Sequence, residues 1–416
     1  MAAFIVLGAV VGKAQTSTPG PCEDAAGQAA AGDNITALFK DKTLAGKKTY
    51  VEAGKTFLVK YGSCESAKET ADYFKTNLPK FEDSIRKIEA DKLKADLILR
   101  FNKGLETKNW EDVYSAGKEI LGKYPDEFRD VELALGSIGY DESFKKNFKY
   151  NDDTLKYAQM SISELESGKT FSANFGIPKD FVYKSKDNAL GWMNLIIGYI
   201  TSVAQKNKPA SLPYLFKATQ STSTTADSTA KNPIPYELIG TYYFEELDKL
   251  TTEIKAMAAD QKDADTPEIA KQKVDAIKAK VALSNGMAER AMDAFSRAYT
   301  FAKTTPEAKL YKDSMKKNVD AAYNLRFAKK EGVDAWIVAT LKKPLINPTT
   351  PVTPISDTEP VAPTTTTTTT TPPVKPGPSA TKPPAPPPTK PAVAPTATKT
   401  KPQAKVKKPV AKKKTT

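Results

Sequence analysis

Two stretches, YVEAGKTFLVKYG at 50–62 and VYSAGKEILGKYP at 113–125, decide how this chain is read. Taken alone, Gly54-Lys55-Thr56 ends like a phosphate-binding loop, G-x-x-x-x-G-K-[ST], in which two glycines let backbone amides wrap the phosphates. The first glycine of that pattern would stand at position 49, where the chain has Thr49, and the preceding LAGKKTYV is neither a buried strand nor rich in glycine. The second stretch explains the first better. It matches at Ala53/Ala116, Gly54/Gly117, Lys55/Lys118, Leu58/Leu121, Lys60/Lys123 and Tyr61/Tyr124, with Phe57 paired to Ile120 and Glu119 standing where Thr56 would hold magnesium. What both copies keep is a small pair, an apolar stripe and a turn residue, the marks of a repeated helical unit rather than of a nucleotide site.

Outward from these copies, the three- and four-residue spacing of apolar side chains continues from about residue 34 to about 340. Residues 35–60 place Leu38, Phe39, Tyr50, Ala53, Phe57 and Leu58 on helical faces, with Tyr61 just beyond. Residues 66–101 do so with Ala71, Phe74, Leu78, Phe81, Ile85, Ile88, Leu93, Leu97 and Phe101. Alternating β-branched runs are scarce, and Pro79, Pro125, Pro178, Pro209, Pro213 and Pro306 stand where helices would start or stop. The pattern predicts an all-α body over 34–343. Residues 218–233 read as a polar loop. Residues 244–285 read as a helical insertion of two charged, solvent-facing helices, broken near Asp265 and restarted by the cap-proline pair Thr266-Pro267.

Composition separates that body from its end. Residues 344–416 hold 19 of the 30 prolines, no aromatic residue and the run Thr364–Thr371, too little apolar surface to offset the entropy of ordering. They carry eleven lysines against Asp357 and Glu359, +9 of the formal +13, leaving +4 on the rest. A disordered basic tail follows from this, and the body is close to neutral.

The chain has no histidine. That removes the commonest general base, the Ser-His-Asp and Cys-His arrangements and nearly all zinc sites. Asp152-Asp153 and Glu245-Glu246 are paired carboxylates, but neighbours on a helix point apart and do not converge on a substrate. The chain is therefore expected to be no enzyme, with no cofactor, no catalytic or metal-binding residues and no small-molecule substrate.

At the other end, AAFIVLGAVVG at 2–12 is shorter than the roughly 20 residues a membrane span needs. Gly12-Lys13-Ala14 then offers small residues at a cleavage site, so residues 1–14 read as a secretory signal, although the usual preceding basic residues are missing. Residues 15–33 would be a flexible segment. Cys22 and Cys64 are the only cysteines, and in an oxidising compartment they would pair. No later segment is long and apolar enough to span a bilayer. The expected location is the periplasm or envelope of a bacterium.

Several stretches resemble the tetratricopeptide repeat, a pair of antiparallel helices written W-x-x-L-G-x-x-Y and A-x-x-x-F-x-x-A. YELIGTYY (236–243) fits the first helix at Tyr236, Ile239, Gly240 and Tyr243. AMDAFSRA (291–298) fits the second at Ala291, Phe295 and Ala298, with Gly286 as the preceding turn. NWEDVYSAGKEILGKYPD (109–126) is similar to a second helix and ALGWMNLIIGYI (189–200) to another first helix, though every unit departs from the pattern somewhere. The resemblance implies an α-solenoid whose first helices line a concave, protein-binding groove. Its groove positions would be Trp192, Leu195, Tyr199 and Ser202, then Ile234, Glu237, Thr241 and Phe244. Such an aromatic set suits apolar or extended segments of other envelope proteins, with the plain alternative that Trp192 and Tyr199 simply pack against a neighbouring helix. The lysine-rich tail would serve as a spacer or weak polyanion tether; the alternative is a protein that binds nucleic acid or envelope polymers through it.

Overall fold

The computed structural model describes residues 20–173, 175–177, 181–261 and 265–357. The signal-like residues 1–14 and the tail from 358 onward lie outside the described residues, as does Pro178.

Local signals set the helix boundaries. Side chains of Thr43, Asn109, Ser185, Asn207, Asn232 and Thr266 each accept a hydrogen bond from a backbone N–H two or three residues on. Each satisfies a donor that a helix start leaves orphaned. The resulting elements are α1 (Ala25–Phe39), α2 (Leu44–Tyr61), α3 (Lys68–Thr107), α4 (Trp110–Lys123), α5 (Asp130–Phe144) and α6 (Asn151–Glu166). After a two-residue antiparallel pair, β1 (Gly176–Ile177) and β2 (Phe181–Val182), come α7 (Lys186–Tyr199) and α8 (Lys208–Thr219). The series ends with α9 (Pro233–Ala259), α10 (Pro267–Phe301), α11 (Lys309–Phe327) and α12 (Val333–Thr340). The fold is all-α. None of these helices is long and apolar enough to cross a membrane.

Each helix packs on the next in sequence from α1 to α12, and α5 also meets α7, as α7 meets α9. Three apolar cores result. The first lies between α1, α2 and the start of α3, around Tyr50, Phe57, Phe74 and Leu78. The second joins the end of α3 to α4, α5 and α6, around Phe101, Ile120, Leu135 and Tyr157. The largest runs from α5 to α12 around Met193, Ile197, Leu215, Phe295 and Val319. Cys22 and Cys64 are joined in a disulfide that ties the residues before α1 to the turn between α2 and α3.

The repeated stretches form α2 and α4. A Cβ placed on Gly54 would stand 2.9 Å from Leu78 of α3, and one on Gly117 would stand 3.0 Å from Leu135 of α5. Both glycines are therefore points where the next helix comes close. Lys55 pairs with Glu52 and Glu82 at the surface, and the Thr56 hydroxyl donates back to the Glu52 carbonyl. The G-K-T sequence is mid-helix.

Several boundaries differ from expectation. Pro79 lies inside α3 and Pro213 inside α8, where helix ends were expected. Buried Phe74, Leu78 and Ile85 on either side of Pro79 carry α3 as continuous helix past the missing hydrogen bond. Gly286 is in the middle of α10 rather than at a turn. Residues 244–285 form the end of α9 and the beginning of α10, two largely solvent-facing helices with the second capped by Thr266 and started at Pro267, and α9 and α10 pack on each other. The packed body also exceeds 34–343. α1 begins at Ala25, within the stretch expected to be flexible, and residues 344–357 are bonded to α9 and α10 rather than belonging to a free tail.

Gly240 marks a close approach of α9 and α10, because a Cβ there would stand 2.7 Å from the ring of Phe295, itself fully buried. In an exposed helix, Gly→Ala would stabilise by about 1 kcal/mol. Here Gly240→Ala is expected to destabilise by roughly 1–3 kcal/mol, because the ring has nowhere to move. Urea unfolding followed by tryptophan fluorescence measures the change.

Candidate functional site: an aromatic cleft

Alternate helices bring a set of aromatic rings and carboxyl groups together. The α5 sequence IGYDESF carries Tyr140, Asp141 and Phe144 at its end, and α7 carries Trp192 and Tyr199. From α9 come Ile234 and Glu237, and Tyr311 lies near the start of α11. The loop between α8 and α9 supplies Asp227, and its position is fixed because the Thr229 hydroxyl, fully buried, donates to the Ala218 carbonyl.

Six of these groups, Tyr140, Asp141, Trp192, Asp227, Ile234 and Tyr311, line two adjoining hollows that share Trp192 and Asp227. The larger, about 870 Å³, is walled by Trp192, Asp227, Ile234, Phe301 and Tyr311, with Lys231 and Lys303 also in its lining. The smaller, about 260 Å³, is walled by Tyr140, Asp141, Phe181, Tyr183 and Trp192. Trp192 Nε1 donates to the Asp227 carbonyl at 3.0 Å, which locks the indole as the partition between the two. Its ring meets Tyr140 edge-on at 6.2 Å, Tyr140 meets Tyr199 at 5.1 Å, and Tyr199 stacks on Phe144 at 4.5 Å. Offset and edge-on geometries of this kind hold rings in fixed orientations.

The electrostatics are those of carboxyl groups kept from water. Burial pushes the Glu237 carboxyl above its ordinary range, and the hydrogen bond it accepts from the Tyr311 hydroxyl, 2.8 Å, only partly offsets this. Burial likewise raises Asp141, with Lys145 and Lys108 acting against it. Glu237 has no ion pair among the described residues. The cleft thus offers rigid aromatic walls with indole and phenol edges, and Glu237 stands behind it as the acceptor that fixes the Tyr311 hydroxyl.

Of the eight groove positions named from the sequence, Trp192 and Ile234 line the cleft, and Glu237 reaches it through Tyr311. Tyr199 stands behind Tyr140 as part of the wall. Leu195 is 0% exposed and Ser202 is also buried, its hydroxyl without a partner, so neither faces a ligand. The reason is that α5, α6, α8 and α9 all pack on α7 and leave little of its surface open. Phe244 packs on Phe295 at 6.1 Å, and Thr241 is half-buried beyond the cleft lining. The sequence reading missed Tyr140, Asp141, Asp227, Phe301 and Tyr311. A signal was present for Tyr311, a lone aromatic within the charged KLYKDS, whereas Asp227 sits in a polar loop with nothing to mark it.

Comparison with known protein families, with curated proteins and with solved structures finds no match to this chain.

Proposed function

We propose that this chain is a non-enzymatic protein-binding scaffold of the bacterial cell envelope, built as a degenerate tetratricopeptide-like stack, which receives an extended segment of another protein in its aromatic cleft. The observation that carries the reading is the origin of the cleft walls. Tyr140, Trp192, Ile234 and Tyr311 come from α5, α7, α9 and α11, every second helix, which is how a two-helix repeat would build a groove. The approach of Gly240 to Phe295 fits the small-against-large contact of such a repeat. Supporting an oxidising location are the signal-like N-terminal sequence and the Cys22–Cys64 bond. The lysine-rich residues beyond 358 then act as a spacer or weak polyanion tether.

Peptides selected on the folded protein from a displayed library of extended sequences test this. Binders are expected to lose about 30-fold or more in affinity on Trp192→Ala, the scale of a buried tryptophan anchor. Tyr311→Ala should also weaken them, while truncation of the exposed Phe39, far along the chain, should not. Binders indifferent to both cleft substitutions, in variants whose melting is unchanged, would remove the reading.

The second reading, binding to nucleic acid or another polyanion, rests on the eleven lysines of the tail. It predicts an affinity that falls steeply with salt and survives Trp192→Ala.

A further inference from the structure

Beyond α12 the chain crosses back over the body as a non-helical strap, residues 344–357, with Pro348, Pro351 and Pro354 spaced by three. The surface beneath it is a built receptor. Arg290 of α10, 9% exposed, has no carboxylate partner among the described residues. Its guanidinium donates instead to the carbonyl oxygens of Asn347 (3.4 Å), Thr350 (2.9 Å) and Pro351 (2.7 Å), to the Thr350 hydroxyl (3.2 Å) and to the Tyr243 hydroxyl (2.8 Å). The Tyr243 hydroxyl donates in turn to the Pro348 carbonyl at 3.0 Å. Further along, Asn285 donates to the Ile355 carbonyl (3.0 Å) and the Ile355 amide donates to the Ala282 carbonyl (2.7 Å). Gly286 opens the floor between them. A Cβ there would stand 2.2 Å from the Thr353 carbonyl oxygen and 2.8 Å from the Val352 side chain.

We propose that this cradle of Tyr243, Asn285, Gly286 and Arg290 is a receptor for non-helical, proline-spaced segments of another polypeptide that enter through a turn, filled in the resting chain by its own residues 347–355, which turn at Asn347–Thr350. Nearly all its bonds go to main-chain atoms, so recognition asks for a backbone that turns once and then runs on without helix, with small apolar side chains, rather than for a particular sequence. Most of the strap is open: Thr349, Thr350, Pro351, Thr353 and Pro354 are exposed, Pro348 is buried, and Leu345 and Val352 are partly buried against the large core. A segment with so little apolar burial opens without the body unfolding. Proline spacing limits the entropy an incoming segment loses on docking. Because the strap is tethered, its effective concentration is on the order of millimolar, and a partner segment must outcompete that. This site is separate from the aromatic cleft and stands or falls without it.

Two measurements on the full chain test the proposal. Hydrogen exchange at the Ile355 amide is expected to run at least 100-fold faster than at Ala288 and Ala291 in α10; equal protection would mean a strap that never leaves, and would overturn it. A fluorescent peptide of sequence 344–357 is then titrated by anisotropy. Val352→Asp, which weakens the strap and leaves the cradle intact, is expected to bind it at least tenfold tighter than the wild type. Adding Gly286→Ala or Arg290→Met to that variant is expected to abolish the gain, with the melting temperature confirming the fold. Val352→Asp binding the peptide no better, or binding unaffected by the cradle substitutions, refutes the proposal. So would self-association of Val352→Asp in place of peptide uptake, since the occupant would then be a second copy.

Discussion

Replacing Glu132 by glutamine is expected to remove most of a pH-dependent loss of stability that the wild-type protein shows between about pH 5.5 and about pH 8.5. Glu132 is 1% exposed, and neither carboxylate oxygen has a hydrogen-bond partner. Its place in the first turn of α5 favours a negative charge, but burial outweighs that and pushes its pKa up to about 8. Glu164 on α6 and Asp130 push in the same direction; Arg129 and Lys169 oppose them. Arg129 is already committed to Glu164, to Asp126 and to the Thr170 carbonyl, so its guanidinium does not bond Glu132. A carboxyl whose pKa is raised by folding contributes stability that is complete below its unfolded value of 4.5 and is lost as pH rises through about 8. After allowance for screening, the loss across this interval amounts to about 2 kcal/mol. Glutamine has the same shape and does not titrate, so its stability should be nearly level over the interval and exceed the wild type at the alkaline end. Urea unfolding of both proteins at the two pH values decides. Parallel behaviour of wild type and variant would show that Glu132 ionises freely in the folded state.

Glu132 also shows where the sequence stops being legible. It sits at a helix start among Asp130 and Arg129, and by pattern it reads as one more surface charge. Its burial depends on the tertiary packing of α5, above all on α6, whose Glu164 is the carboxylate that acts most strongly on it. No local periodicity encodes that contact. By contrast, helix existence was readable wherever apolar spacing and caps agreed, as at Asn109-Trp110 and Thr266-Pro267. Prolines misled when taken as stops in isolation, because Pro79 is carried through by burial on both sides. The cleft was half legible. Trp192 and Ile234 follow from helical position, but Asp227 and Phe301 arrive from a loop and a helix end that only the tertiary packing brings alongside. The strap was misassigned for a similar reason: its proline-rich composition matches the tail, and its order depends on Arg290 and Asn285, some 60 to 70 residues earlier.

The disulfide is expected to produce the second large effect, and a local one. Its removal by Cys22→Ser with Cys64→Ser should cost the N-terminal core about 3 kcal/mol, since it closes a loop with a sequence separation of 42. α1 has few other attachments. Ile35 is its one buried residue, supplemented by Ala31 and Leu38 at the edge of the core and by the half-exposed Phe39 ring against Tyr50 and Phe81. Its polar ties are thin as well: the Ser66 hydroxyl donates to Gln28 at 2.9 Å, and the capping Asp24 accepts from the Tyr61 hydroxyl at 3.5 Å and lies 3.8 Å from Lys60. Without the bridge, the entropy recovered by freeing α1 exceeds what that contact surface returns, so α1 should detach while α2 and α3 stay paired through Phe57, Phe74 and Leu78. The rest of the body has separate cores, and all three tryptophans, Trp110, Trp192 and Trp336, pack against those rather than the N-terminal one. Tryptophan-detected unfolding should therefore be unchanged in the double variant, while amide exchange over residues 25–39 rises to nearly that of a free chain. Protection of α1 undiminished by the double substitution would show that Ile35 and its neighbours suffice. A tryptophan transition shifted by the full amount would show instead that the three cores unfold as one.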